Sequence, residues 1–184
     1  SVPVAVRSSA TAEDLPGASF AGQQDTFLWI RGFDDVIHHV RRCISSLYTA
    51  RAIAYRLKMG FPHEQVAISV GVQKMANAYA AGVMFTVHPA TGDRSVIVID
   101  ANFGFGESVV SGEVTPDHFV VNKVTLDILE RTISTKLMCY TVDLKIQKSV
   151  ATDVPFERQS IQCLIDDEIT ELAWMAKKIE KHYG

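Results

Sequence analysis

The chain opens with a short β-branched strand that ends by delivering an arginine into a segment of small and hydroxyl-bearing residues. Residues 4–26 read VAVRSSATAEDLPGASFAGQQDT. Small residues let a backbone approach a ligand closely, so that its amide groups can donate to phosphate oxygens. The guanidinium of Arg7 adds a fork of donors that matches phosphate geometry. The segment therefore predicts a cover for a polyphosphate. It is not a P-loop, because no Gly-Lys-Ser/Thr ends it, and the alternative is an ordinary polar turn between strands.

The hydrophobic pattern along the rest of the chain predicts many short strands and two substantial helices. One long helix begins near Phe33, with Asp34 as its cap, and is stopped by Gly60 and Pro62. A second helix opens at residues 166–168 and runs to the end of the chain. Residues 142–162 are polar and irregular and receive no assignment. Few clean βαβ units occur, so the pattern favours the α+β class. The predicted strands are Val2–Val6, Thr26–Ile30, Val66–Met75, Ala81–Val87, Ser95–Ala101, Phe119–Lys123, Ile128–Thr132 and Leu137–Thr141.

Composition narrows the possible partners. The 184 residues carry a net charge of −3, which implies no broad basic surface and hence no nucleic-acid partner. No apolar stretch approaches the ~20 residues that span a bilayer, and no signal-peptide pattern is present, so no membrane partner is expected. The three cysteines are odd in number and far apart in sequence. They fit a reducing, cytoplasmic compartment better than a disulfide framework or a zinc site.

Three further strings carry a family resemblance together with the opening segment. They are QKM at residues 73–75, GFGESVVSG at residues 104–112 and VTPDHF at residues 114–119. The chain resembles the nucleotide-binding domain of the phosphoenolpyruvate synthase and pyruvate phosphate dikinase family, most strongly over residues 3–124. The resemblance implies an ATP-grasp-like fold in which ATP is held between two α+β lobes. It also implies that residues 1–184 form a partial ATP-binding domain, incomplete at both ends.

The resemblance also assigns roles to individual residues. Arg7 would contact the nucleotide phosphates and act in catalysis, and a glycine-rich loop would close over the β- and γ-phosphates. Glu107 would face the nucleotide near the ribose or a metal ion. The loop residues are Ser19, Ala21, Gly22 and Thr26, and the hinge that reads adenine is Gln73, Lys74 and Met75. Without the resemblance, a glutamine at a strand end, a core methionine and a glutamate at a helix start are the better interpretations.

Other polar residues are expected to be structural. His88 lies in a loop without an orienting base, and the family's phosphorylated histidine belongs to a separate swivelling domain. Asp117 is predicted to form a turn rather than to bind a metal. His38 and His39 are adjacent on a helix and so do not face each other, which predicts no metal site.

The resemblance implies that the intact enzyme uses ATP and Mg²⁺ to load the swivelling-domain histidine, which then passes phosphate to an acceptor. Pyruvate is the first choice, while rifampicin and phenol are acceptors of relatives that these residues do not distinguish. The family's upstream lysine segment and its downstream metal-binding carboxylates are absent from the sequence. We therefore expect a piece of a larger enzyme that is inactive alone. The alternatives are a non-catalytic nucleotide-binding module and a fragment without a function of its own.

Overall fold

In a computed structural model the chain is described over residues 1–10, 14–15, 18–19, 26–62, 64 and 66–183. It divides into two compact units. Unit 1 consists of Ser1–Ala76 and Val142–Ser149, and unit 2 consists of Asn77–Thr141 and Val150–Gly184. Both units contain strands and helices, and most neighbouring strands are antiparallel. This arrangement confirms the predicted α+β class.

Unit 1 is built on a three-stranded antiparallel sheet. Its central strand is β1 (Val4–Ala10), flanked by β4 (Thr26–Ile30) and β5 (Ile68–Lys74). A separate pair of two-residue strands, β2 (Asp14–Leu15) and β3 (Ala18–Ser19), lies between β1 and β4 in the sequence. Val6 is fully buried on β1, and the Cys43 thiol donates to its carbonyl oxygen over 3.9 Å. The buried β-branched run thus makes β1 the centre of this sheet.

The prediction of one long helix from Phe33 is wrong, because the structure has two helices in this region. Helix α1 covers Phe33–Ser46 and α2 covers Ala50–Met59. The Thr49 side chain interrupts the run because its Oγ1 accepts from the Ala52 amide at 3.3 Å and so caps α2. Gly60 ends α2 in the left-handed conformation, with φ of 71°.

The start of α1 also differs from the prediction. Gly32 is the N-cap residue and makes no side-chain hydrogen bond, while Asp34 lies inside the first turn. Asp34 therefore does not cap α1. Its carboxylate stabilises the helix through the positive end of the dipole.

Unit 2 is a four-stranded antiparallel sheet with a long helix packed on one face. The strand order is β6 (Ala80–Phe85), β7 (Val96–Phe103), β8 (Asp117–Asn122) and β9 (Ile128–Thr132). A short helix, α3 (Glu107–Val110), follows β7, and the long helix α5 (Asp166–Tyr183) ends the described chain. The core between sheet and helix consists mainly of Ile97, Ile99, Ala101, Phe119, Val121, Ile169, Ala173 and Ala176.

The unassigned stretch 142–162 forms regular structure after all. Strand β10 (Met138–Asp143) and strand β11 (Lys148–Asp153) pair as a hairpin, followed by the short helix α4 (Phe156–Gln159). The Asp143 carboxylate accepts from the amides of Lys145 and Ile146 and closes the hairpin turn. Strand β10 overlaps the predicted strand Leu137–Thr141, whereas β11 lies in the unassigned stretch and is too polar to be recognised by alternation alone.

The three cysteines are free thiols, as predicted. Within the described residues no helix is both long enough and apolar enough to span a membrane.

Candidate functional site

The sheet of unit 1 brings Arg7 and Thr26 side by side. Arg7 lies in the middle of β1, not at the strand end that the sequence predicts, and it faces Thr26 on β4 and Gly71 on β5. Directly opposed residues of an antiparallel pair project from the same face of the sheet. Arg7 and Thr26 are both exposed on that face, so a guanidinium and a hydroxyl are available together to an anionic ligand.

Gln73 lies on the same face of the sheet. It is two residues beyond Gly71 on β5 and is opposed to Ala5 on β1, and residues two apart on a strand share a face. The exposed side chains of Arg7, Thr26 and Gln73 are therefore grouped on one side. Lys74 is opposed to Val4, which puts its side chain on the other side.

The backbone at the end of β5 determines which groups remain free for a ligand. The Met75 amide donates to the Pro3 carbonyl at 3.0 Å, so it is already used within unit 1. Hydrogen-bonded and non-hydrogen-bonded pairs alternate in antiparallel sheets, so the N–H and C=O of Lys74 point to the opposite edge. In the described part of the chain β5 is an edge strand. Lys74 therefore offers both its N–H and its C=O to a ligand, whereas the Met75 N–H is already bonded.

The remaining loop residues of the predicted site lie largely outside the described residues. Ala21 and Gly22 are not described, and of Ser19 only the backbone is, as part of β3 opposite Asp14. The predicted closure of this loop over phosphates stays a prediction.

Glu107 lies in unit 2, as the first residue of α3. The residue is exposed, yet partial burial of its carboxyl raises the pKa of Glu107, and the nearby charge of Glu113 raises it further. The Tyr140 hydroxyl donates to Glu113 at 3.1 Å, and this hydrogen bond raises the pKa of Tyr140. Two carboxylates thus share an environment in which a bound cation would relieve their repulsion.

The turn before Glu107 depends on a glycine. Gly104 has φ of +74°, and a Cβ atom there would lie 2.1 Å from the Tyr140 carbonyl oxygen. Phe105 then donates its amide to that carbonyl at 2.8 Å. The first glycine of the GFGESVVSG string therefore holds the chain against β10 and leads it into α3.

Asp117 does not form a turn. It begins β8, is fully buried, and accepts from the Lys136 ammonium at 2.6 Å. The Ser134 and Cys163 amides also donate to it, at 3.0 and 2.8 Å. Burial, followed by the Asp117 charge, raises the pKa of Cys163 to about 12. The prediction of a turn was wrong because Lys136, nineteen positions along, is its partner.

His88 has a structural role, as expected. Its Nδ1 accepts from the amides of Ala90 and Thr91 at 3.2 and 3.4 Å, within the loop that follows β6. No group of three or more metal-ligating side chains occurs in the described ranges.

Comparisons with known proteins cover the whole chain. A family model described as "Pyruvate phosphate dikinase, AMP/ATP-binding domain" matches residues 1–184. The chain is 53% identical over 183 residues to a probable phosphoenolpyruvate synthase from Methanocaldococcus jannaschii. It is 50% identical over 188 residues to the phosphoenolpyruvate synthase of Pyrococcus furiosus, and 50% identical over 191 residues to that of Pseudomonas aeruginosa.

These matches use nearly all of the chain but a small part of each relative. They cover 100%, 100% and 98% of the chain, respectively. The same matches cover 15%, 23% and 24% of the relatives. The chain therefore corresponds to one region of much longer proteins.

Proposed function

Because this chain belongs to the pyruvate phosphate dikinase AMP/ATP-binding domain family, we propose that it is the ATP-binding part of a phosphoenolpyruvate synthase-like dikinase. Such an enzyme moves phosphate from ATP to a histidine in a separate swivelling domain and then to pyruvate. The names of the relatives support pyruvate as the acceptor, rather than rifampicin or phenol. The setting we propose is the cytoplasm.

The grouping of Arg7, Thr26 and Gln73 on one sheet face is the observation that supports ATP binding most directly. The Arg7 guanidinium would bind phosphate oxygens through charge-assisted hydrogen bonds, and the Thr26 hydroxyl would add a neutral donor. Ser19, Ala21 and Gly22 would complete the phosphate cover. We propose that this sheet is part of an ATP-grasp-like fold.

The adenine would lie toward the end of β5. The Gln73 side chain and the outward backbone groups of Lys74 offer both donors and acceptors, as recognition of a base edge requires. The Met75 N–H would not take part, because it is bonded to the Pro3 carbonyl oxygen. This assignment gives the backbone N–H role of the hinge to Lys74.

Mg²⁺ would neutralise charge that develops on the transferred phosphoryl group. Glu107 is the candidate ligand in this chain, since its raised pKa reflects partial burial and a second carboxylate nearby. Arg7 would stabilise charge that develops on the phosphoryl group from its fixed place in β1, which is why we propose it as the catalytic residue.

Calorimetric titration of the chain with ATP, with and without Mg²⁺, tests the proposal. We expect a Kd on the order of micromolar. The Arg7→Ala variant should bind at least about tenfold more weakly, because a hydrogen bond to a charged group contributes about 1.5–3 kcal/mol. Arg41→Ala removes an exposed arginine of α1 and should bind as the parent chain does.

Two results would count against this assignment. Equal ATP affinity of the parent chain and Arg7→Ala would remove Arg7 from the phosphate site. In the full-length protein, ATP consumption that did not depend on pyruvate would leave a non-catalytic nucleotide-binding module, or a different acceptor, as the better interpretation.

A further inference from the structure

A basic groove lies in unit 2, on residues that the proposed ATP site does not use. Its volume is about 900 Å³. One side is formed by α5 and the other by the segments that follow β6 and β8 and precede β7. Its cationic side chains are Arg94, Lys123, Lys177, Lys178 and Lys181.

Most of the cations in this groove are not paired with a carboxylate of the groove. Lys123 is largely buried and bonds to Glu180 at 2.9 Å and to the Thr86 carbonyl oxygen. In the part of the chain that the structure describes, the other four cations have no carboxylate within 4.0 Å. They are gathered in one concavity of a chain whose net charge is −3. Because like charges repel, this arrangement favours an anionic occupant.

The groove also has an apolar component. Trp174 is 48% exposed and Ile179 is 49% exposed, and Val87 lines the wall opposite α5. The Lys178 ammonium lies 3.6 Å from the centre of the Trp174 ring, which leaves one ring face for another contact. A small inorganic anion would leave these apolar surfaces uncovered.

The spacing of the cations suits a peptide chain. Lys177 and Lys181 are one helical turn apart, about 6 Å along α5. Side chains that project from the same face of an extended peptide repeat at about 6.6 Å. We infer that the groove is a docking site for an acidic segment of a partner protein, in which carboxylates alternate with apolar residues.

Nucleic acid is less suited to this groove. Four of its five cations are lysines, which do not give the bidentate contacts of arginine, and one face of Trp174 is already covered. The groove is concave, whereas a membrane would need a flat or convex surface. An acidic peptide can satisfy both the cations and the apolar wall.

Fluorescence anisotropy on the 184-residue chain tests the inference. The probe is a labelled peptide of Glu-Leu repeats, and its comparison is a labelled peptide of Lys-Leu repeats. The acidic peptide should bind, and the double variant Lys177→Glu/Lys181→Glu should weaken binding at least about tenfold. The matched control, Lys58→Glu/Lys145→Glu, makes the same change in net charge on exposed lysines of unit 1 and should leave binding unchanged.

Further measurements separate this groove from the nucleotide site. Circular dichroism melting establishes that the groove variant is folded. Excess Mg²⁺-ATP should not displace the peptide, and Arg7→Ala should bind it as the parent chain does. Displacement by ATP, tighter binding of a DNA oligonucleotide of equal charge, or equal effects of the groove and control variants would each overturn the inference.

Discussion

At the scale of residues, the buried ion pair of Asp117 and Lys136 is expected to have the largest effect on stability. Both side chains are fully buried, and Asp117 also accepts two backbone amides. Removing one member of a buried ion pair leaves the other charge without compensation in a medium of low dielectric constant. The pair joins β8 to the segments before β10 and α5, so its loss affects the core of unit 2.

Lys136→Met should lower the free energy of unfolding by about 3–5 kcal/mol. Asp117→Asn/Lys136→Met should recover part of that loss, because it removes the uncompensated charge and keeps an acceptor oxygen. Urea denaturation measures both, with Lys148→Met as the exposed control. A loss below about 1 kcal/mol, typical of surface pairs, would contradict this energetic role.

Two glycines allow backbone strain to be separated from close contact. Gly104 and Gly112 have nearly the same φ, +74° and +73°, but only Gly104 is pressed against another atom, the Tyr140 carbonyl oxygen. Gly112→Ala should cost about 1 kcal/mol for the left-handed conformation. Gly104→Ala should cost a further ~1–3 kcal/mol for overpacking. Thermal melting of both variants measures the difference, and equal melting temperatures would exclude the close approach.

At the scale of elements, the break between α1 and α2 shows how a side chain competes with helix periodicity. The apolar spacing continues through residues 47–49, and the sequence therefore predicts one helix. The Thr49 hydroxyl, however, accepts from Ala52 and also donates to the Ser46 carbonyl oxygen at 3.0 Å. A threonine offers the backbone local hydrogen bonds that replace those of a continuing helix.

Thr49→Ala should destabilise the protein by about 0.5–2 kcal/mol, because α2 loses its capping acceptor. Thr170→Ala is the matched control, since Thr170 lies inside α5 and its hydroxyl bonds only to the Asp166 carbonyl oxygen. That control should be neutral or slightly stabilising, because alanine has the higher helix propensity. Chemical denaturation compares the two, and a reversed order would argue against the cap.

At the scale of the whole molecule, each unit carries part of the proposed chemistry. Arg7, Thr26 and Gln73 belong to unit 1, and Glu107 belongs to unit 2. Partial burial raises the pKa of the Glu107 carboxyl, which belongs to the proposed site. The raised pKa of Glu107 changes how the free energy of unfolding depends on pH.

The pKa of Glu107 is raised in the folded protein, so its ionised form destabilises the fold. Glu107→Gln should therefore gain stability relative to the parent chain as the pH rises from the ordinary glutamate pKa through the raised one. At lower pH, where Glu107 is protonated, the difference should disappear. Urea denaturation across this pH range measures the gain, and a constant difference would contradict it.

In an NMR titration, Glu113→Gln should lower the pKa of Glu107 only in part, because burial is the larger cause.

Local physics in the sequence was sufficient for much of the fold. Strand Ile128–Thr132 and helix Asp166–Tyr183 agree with the predictions, because alternation and helical periodicity need only near neighbours. Gly60 ends its helix as predicted, because glycine adopts positive φ at little cost. The α+β class followed from the order of predicted strands and helices, and the family resemblance followed from short strings of residues. Strand β11 was not predicted, because its polar residues show no clear alternation, whereas β10 overlaps the predicted strand Leu137–Thr141.

The tertiary structure alone decided which residues meet. The sequence predicts that Asp117 forms a turn, whereas in the structure its carboxylate accepts from Lys136. Strand register puts Arg7, Thr26 and Gln73 on one sheet face and turns the Lys74 side chain away. The Met75 N–H is bonded to the Pro3 carbonyl oxygen, while the register of β5 leaves the N–H and C=O of Lys74 at the outer edge. Each depends on contacts between residues distant in sequence, and propensity and spacing carry no information about such partners.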